Sequence, residues 1–134
     1  MAHAGQVIEG HDGFRLELVR TGAETGGELL EMEASYSGNA GMPPAHLHPR
    51  QTERFEVLEG AMRAVIGDRE RRYERGERFE VPAGTPHRMA ADGPTRVRWE
   101  VRPALRTAEL FERLFSGGGE NLLTEFSAEL RLVA

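Results

Sequence analysis

The chain has 134 residues, 39% of them hydrophobic and 29% charged, with no cysteine and a formal net charge of -5. That length suits one compact domain whose core needs neither disulfides nor a structural metal. The missing cysteine excludes thiolate catalysis, iron–sulfur clusters and thiolate zinc sites, the missing lysine excludes a Schiff base, and the negative average field repels nucleic acid.

The lead-in MAHAGQVIEG has no basic cap followed by an apolar run, so it does not read as a signal peptide. No segment approaches the length of a membrane span, and a cytoplasmic protein without membrane contact is expected. His3 and His11 lie in this polar stretch and read as surface residues. Phe14, Leu16 and Leu18 then alternate with Arg15, Glu17 and Val19. After the turn-rich segment Thr21 to Gly27, the residues Leu30, Met32, Ala34 and Tyr36 form a period-two face opposite Glu31, Glu33 and Ser35. Gly38 to Pro44 reads as loop.

Glu53, Phe55 and Val57 share the next strand face, and Gly60 ends that strand. Met62, Ala64 and Ile66 alternate up to a turn at Gly67 and Asp68. The stretch DRERRYERGER from Asp68 to Arg78 interleaves glutamates with arginines, the pattern of a salt-bridged solvent hairpin. Phe79 and Val81 precede a sharp turn from Pro82 to Pro86, and His87 and Met89 lead the next strand. Val97, Trp99 and Val101 alternate with arginines and Glu100. Short strands at regular spacing with Gly and Pro between them predict a sandwich or barrel.

After Pro103 the period changes. Ala104, Ala108, Phe111 and Phe115 fall at helical spacing, and Gly117 to Gly119 stop the helix. Leu122, Leu123, Phe126 and Leu130 predict a second short helix, or a helix running into a final strand. The expected organisation is a β-barrel over residues 1–102 and a helical extension over 103–134 packed on it.

Four side chains carry the chemistry. The segment from Gly41 to Gly60 has the skeleton G-x4-H-x-H-x4-E-x6-G. His46 and His48 are two apart, so an extended strand projects them from one face. A tight turn brings Glu53 back toward the same space. The segment from Gly76 has the skeleton G-x5-P-x-G-x2-H, in which Pro82 and Gly84 shape the turn before His87. Any one of these histidines alone would be an ordinary structural residue. Together they form a set of three imidazoles and a carboxylate, donors that suit borderline divalent ions.

These two segments resemble the paired motifs of the cupin superfamily. That family's first motif reads G-x5-H-x-H-x3,4-E-x6-G and its second G-x5-P-x-G-x2-H-x3-N. Here the first is one residue shorter before His46, and Ala91 stands where asparagine is frequent; neither departure touches a ligand position. The motif region spans residues 41–91. The resemblance implies an all-β fold, a double-stranded β-helix or jelly roll with a short helical C-terminal extension. It also implies one divalent ion (Fe, Mn, Ni, Zn, Co or Cu) held by His46, His48, Glu53 and His87. The expected partners are a small-molecule substrate and a second copy in a homodimer, with no nucleic acid.

The residues around the ion should choose the substrate. Phe55, Met62, Phe79, Met89 and Trp99 point inward by alternation, and with Gln51 they form the expected substrate lining. That lining suits a small, largely apolar or aromatic molecule. Tyr36 is the candidate catalytic residue, as proton donor or hydrogen-bond partner. Arg54 and Arg88 alternate outward, which disfavours a strongly anionic substrate. The expected activity is that of a dioxygenase. The alternatives are a non-redox polyketide-cyclase or isomerase-like reaction, and a binding or metal-storing module without turnover.

Overall fold

The computed structural model describes residues 2–133. In chain order, β1 (Val7–Glu9) and β2 (Arg15–Arg20) lead through one helical turn, α1 (Gly22–Thr25), to β3 (Leu30–Tyr36). Then come β4 (His46–Leu47), β5 (Thr52–Glu59), β6 (Ala61–Ile66), β7 (Arg69–Glu74), β8 (Arg78–Val81), β9 (His87–Ala91) and β10 (Thr95–Arg102). The chain ends with α2 (Thr107–Phe115), α3 (Leu122–Glu125) and β11 (Arg131–Leu132).

Two antiparallel sheets face each other as a jelly roll. One has the order β1-β2-β3-β10-β5-β8 and the other β11-β4-β9-β6-β7. The inner faces carry the alternating apolar residues. Leu16, Leu18, Met32, Ala34, Val57, Met62 and Val97 are fully buried in one cluster. Burying a Leu, Val or Met side chain stabilises by about 1.5–3 kcal/mol, so this alternation drives the sheets together. The central strand β10 fixes register on both sides, with Trp99 opposite Met32 on β3 and opposite Phe55 on β5.

The outer faces are polar. Arg54 pairs with Glu80 at 2.8 Å, and Arg96 with Glu59 at 2.9 Å. The arginine-rich hairpin lies on the surface, where Arg71 meets Glu77 at 2.9 Å and Arg72 meets Asp92 at 2.9 Å. Gly60 makes the sharp link from β5 to β6 with a φ of 80°. A Cβ there would overlap the Pro94 carbonyl and Thr95, so the chain can turn only with glycine at this point. Among the described residues no helix is long and apolar enough to cross a membrane.

One segment differs from the sequence expectation. Thr21 to Gly27 is a capped helical turn. The Thr21 hydroxyl accepts from the Ala23 amide at 3.3 Å, and Glu24 accepts from the Thr21 amide at 2.8 Å. Thr-x-x-Glu is the capping-box signature, so the local sequence specifies this turn. Beyond residue 103 the structure takes the second of the two expected courses, a helix running into a final strand. The two helices there are followed by β11, which pairs with β4 in the second sheet, Arg131 opposite Leu47 and Leu132 opposite His46.

Met32 sits at the centre of the core with no exposed surface. Met32→Ala is expected to cost about 2–5 kcal/mol in a urea titration, whereas Arg71→Ala on the solvent hairpin leaves the midpoint unchanged.

Candidate metal centre

The site lies where a two-residue strand meets its neighbours. β4 is only two residues long, and it is held between β9 and β11. His46 stands directly opposite His87 across the β4–β9 pair. Their ring centroids are 4.3 Å apart. His48 follows β4 and leads into the turn that returns as β5, where Glu53 is the second residue. The Pro82–Pro86 turn locks the two motifs together, since the Gly84 amide donates to the His48 carbonyl at 2.8 Å. Gly84 has a φ of 76°, a conformation that glycine reaches without strain.

One metal-binding atom from each of His46, His48 and His87 lies within 4.8 Å of the other two. Glu53 joins them: its Oε1 is 2.9 Å from His87 Nε2 and 3.2 Å from His48 Nε2. Two atoms each about 2.1 Å from one ion, at right angles, stand about 3 Å apart. The Glu53 separations match that spacing. Glu53 Oε1 and His48 Nε2 are buried and lack any aligned hydrogen bond. A buried polar atom left in that state is costly unless a cation satisfies it. The residues present therefore fit a divalent ion.

Two of the three imidazoles are oriented by a backbone carbonyl. His48 Nδ1 donates to the Glu129 carbonyl at 2.7 Å, and His87 Nδ1 donates to the Thr85 carbonyl at 2.9 Å. A ring that donates from Nδ1 presents a bare lone pair at Nε2, the form a metal needs. Glu53 has its own support, because Trp99 Nε1 donates to Glu53 Oε2 at 2.7 Å. One carboxylate oxygen faces the histidines and the other is fixed by the indole.

The charges follow from this packing. Burial pushes the Glu53 carboxyl up, but His48 and His87 more than offset it and hold it at about 2. Burial and the neighbouring His87 and His48 push His46 down to about 4. Burial lowers His48 too, but the Glu53 carboxylate and Glu129 carbonyl outweigh it, and the net shift is upward. At neutral pH Glu53 is thus ionised and His46 uncharged, and the upward shift of His48 comes from its place beside the Glu53 carboxylate. A cation complements it.

The residues expected to line a substrate separate into several groups. Tyr36 and Met89 line an apolar cavity of about 320 Å³ with Phe14, Pro43 and Phe115. Burial and the Glu53 charge push the Tyr36 phenol well up, so it keeps its proton. Phe55 and Phe79 instead stack on each other at 4.8 Å, and Phe79 stacks on Tyr73 at 4.3 Å. They and Met62 belong to the packed core, and Phe55 and Phe79 also border a surface cavity among Arg54, Glu56, Arg78 and Glu80, away from the histidines. Gln51 is turned toward the C-terminal segment. Its Nε2 donates to the carbonyls of Pro103 at 2.9 Å and Ala104 at 3.1 Å, and to the Thr107 hydroxyl at 2.7 Å. Its Nε2 therefore joins the start of β5 to α2, while its Oε1 is buried without a hydrogen-bond partner. Trp99 supports the carboxylate, as described above. Arg54 and Arg88 are exposed, as alternation predicts.

A jelly roll with three histidines and a glutamate converging from β4, its following turn, β5 and β9 defines a class of small β-barrel with a potential metal site. The cupin domain matches residues 32–101, and the chain belongs to the cupin family. Solved structures of the same fold include KdgF from Halomonas sp., at 20% identity and a TM-score of 0.64, covering 73% of this chain and 86% of that one. An RmlC-like cupin from Shewanella frigidimarina matches at 16% identity and a TM-score of 0.65, covering 77% and 87%. A single-residue variant of oxalate decarboxylase from B. subtilis matches at 17% identity and a TM-score of 0.64, covering 75% of this chain and 28% of that one. Among curated proteins none matches.

Trp99→Phe keeps the ring packing but removes the donor to Glu53. In a titration with Co(II) followed by visible absorption, this variant is expected to bind about 10–100-fold more weakly than the wild type.

Proposed function

We propose that this cupin holds one divalent metal ion on His46, His48, Glu53 and His87 and acts with it on a small, largely apolar organic molecule. The observation that carries this reading is the buried, unsatisfied pair of Glu53 Oε1 and His48 Nε2, 3.2 Å apart among oriented imidazoles. A bound ion of this kind supplies Lewis acidity toward a substrate oxygen and, if redox-active, oxygen chemistry. The chain's own residues bind, orient and protect. Glu53 neutralises part of the ion's charge. Trp99 keeps the carboxylate from rotating. Phe14, Met89 and Phe115 give the cavity beside Tyr36 an apolar wall. Tyr36 holds a proton at its phenol oxygen and can donate a hydrogen bond to a developing oxyanion.

Oxygen-dependent cleavage of an aromatic or enolic substrate is the leading reaction. No lysine or cysteine is available as base or nucleophile, so the ion and oxygen would carry the chemistry. A non-redox cyclisation or isomerisation is the second reading, favoured by the protonated Tyr36 on the cavity wall.

The single tryptophan lies beside the site, so it reports on occupancy. Titration with Co(II) is expected to quench its fluorescence at one equivalent, and Glu53→Gln to weaken the response at least tenfold. Unquenched wild-type fluorescence, together with no metal by elemental analysis, would remove the metal reading. The reaction class is tested by turnover without oxygen. A dioxygenase stops; turnover that persists anaerobically with zinc assigns the non-redox class. In that second case Tyr36→Phe is expected to lose about 10²-fold or more in rate with metal content unchanged.

A further inference from the structure

Three of the four side chains proposed to face the ion are sealed from solvent. His48 is 3% exposed, His87 2% and Glu53 1%. His46 is only half-buried. It forms part of the wall of a second cavity, of about 570 Å³, which shares only Pro43 with the one lined by Tyr36. Beyond Pro43, Pro44 and His46, this wall comes wholly from α2, the glycine loop, α3, the segment after it and β11.

The wall is apolar. Leu110 and Leu122 are its buried part, at 1% and 6% exposure. Leu114, Leu123 and Leu132 stand on it at 44%, 42% and 58% exposure. Three large apolar side chains grouped in water mark a binding surface more often than an accident. Besides His46, the ionisable wall residue is Glu120, and no arginine lines the cavity. An anionic body would meet repulsion there and find no counter-ion.

We propose that this second cavity binds the apolar body of the molecule whose polar end reaches the ion past His46, and that Leu114, Leu123 and Leu132 select for the length of that body. This rests on the reading of the four side chains as a metal centre. The ligand class is an organic molecule with one oxygen-donor head group and an uncharged alkyl or aryl tail. The C-terminal segment then serves as a specificity element beside the barrel.

The test uses Co(II)-loaded full-length protein and hydroxamic acids of rising chain length, from acetohydroxamate to octanohydroxamate. The readout is the visible absorption of cobalt. Affinity is expected to rise about three- to fourfold per methylene until the cavity is filled. Leu114→Asp and Leu123→Asp should flatten that slope, and an unchanged far-UV circular dichroism spectrum shows that the variants are folded. Leu105→Asp, at an exposed leucine outside the cavity, should keep the wild-type slope. Affinity independent of chain length overturns the proposal, as does a slope that survives in both aspartate variants. A dimer that Leu123→Asp splits while the slope remains would assign these leucines to a subunit contact and overturn it too. If wild-type protein gives no cobalt spectrum at all, the metal reading itself has failed, and the proposal falls with it.

Discussion

The bridge between His46 and His87 is the constraint on which the site depends. β4 has two residues, too few to hold a position by their own ladder. It stays in place because β9 pairs with it on one side and β11 on the other, with Val133 donating to the Ala45 carbonyl just beyond. The Gly84 turn adds a bond to the His48 carbonyl. His46, His48 and Glu53 of the first motif can then meet His87 of the second without any one strand being long. Without this clamp the two imidazoles of the first motif would move with a loop.

Buried charge sets the second condition. Glu53 is almost wholly enclosed, and an isolated carboxylate there would be strongly unfavourable. Here its two oxygens are treated differently. One receives the indole hydrogen bond, and the other is left toward the imidazoles with no aligned donor. That asymmetry is what the proposed ligand role of Glu53 requires: one oxygen is fixed and the other is turned to the imidazoles. Such clusters give up some stability for function.

Much of this architecture is legible in the sequence because it rests on short-range rules. The face Leu30, Met32 and Ala34 is buried as its period-two pattern requires. The two motifs are readable because glycine and proline at fixed offsets dictate turns. Alternation, however, gives only the direction of a side chain. It places Phe55, Met62 and Phe79 inward, but it does not distinguish a cavity wall from packed core. Gln51 escapes a sequence reading because its partners lie more than fifty residues away, at Pro103, Ala104 and Thr107. The Glu129 and Thr85 carbonyls leave no trace at all, since every residue has one. Two further features do leave a signal. Thr21 and Glu24 spell a helix cap, and Trp99 lies on the strand paired with that of Glu53, with an indole that can only donate.

The pairing of β11 with β4 has one more consequence. The same short ribbon that lies against His46 carries, just upstream, the Glu129 carbonyl that aims His48. Docking of the last strand and retention of the proposed ion are therefore a single thermodynamic cycle: whatever free energy the ion adds to the docked ribbon, the docked ribbon adds to the ion. A tether, fusion or binding partner that pulled this ribbon away would act as a remote control on loading, without touching a coordinating side chain.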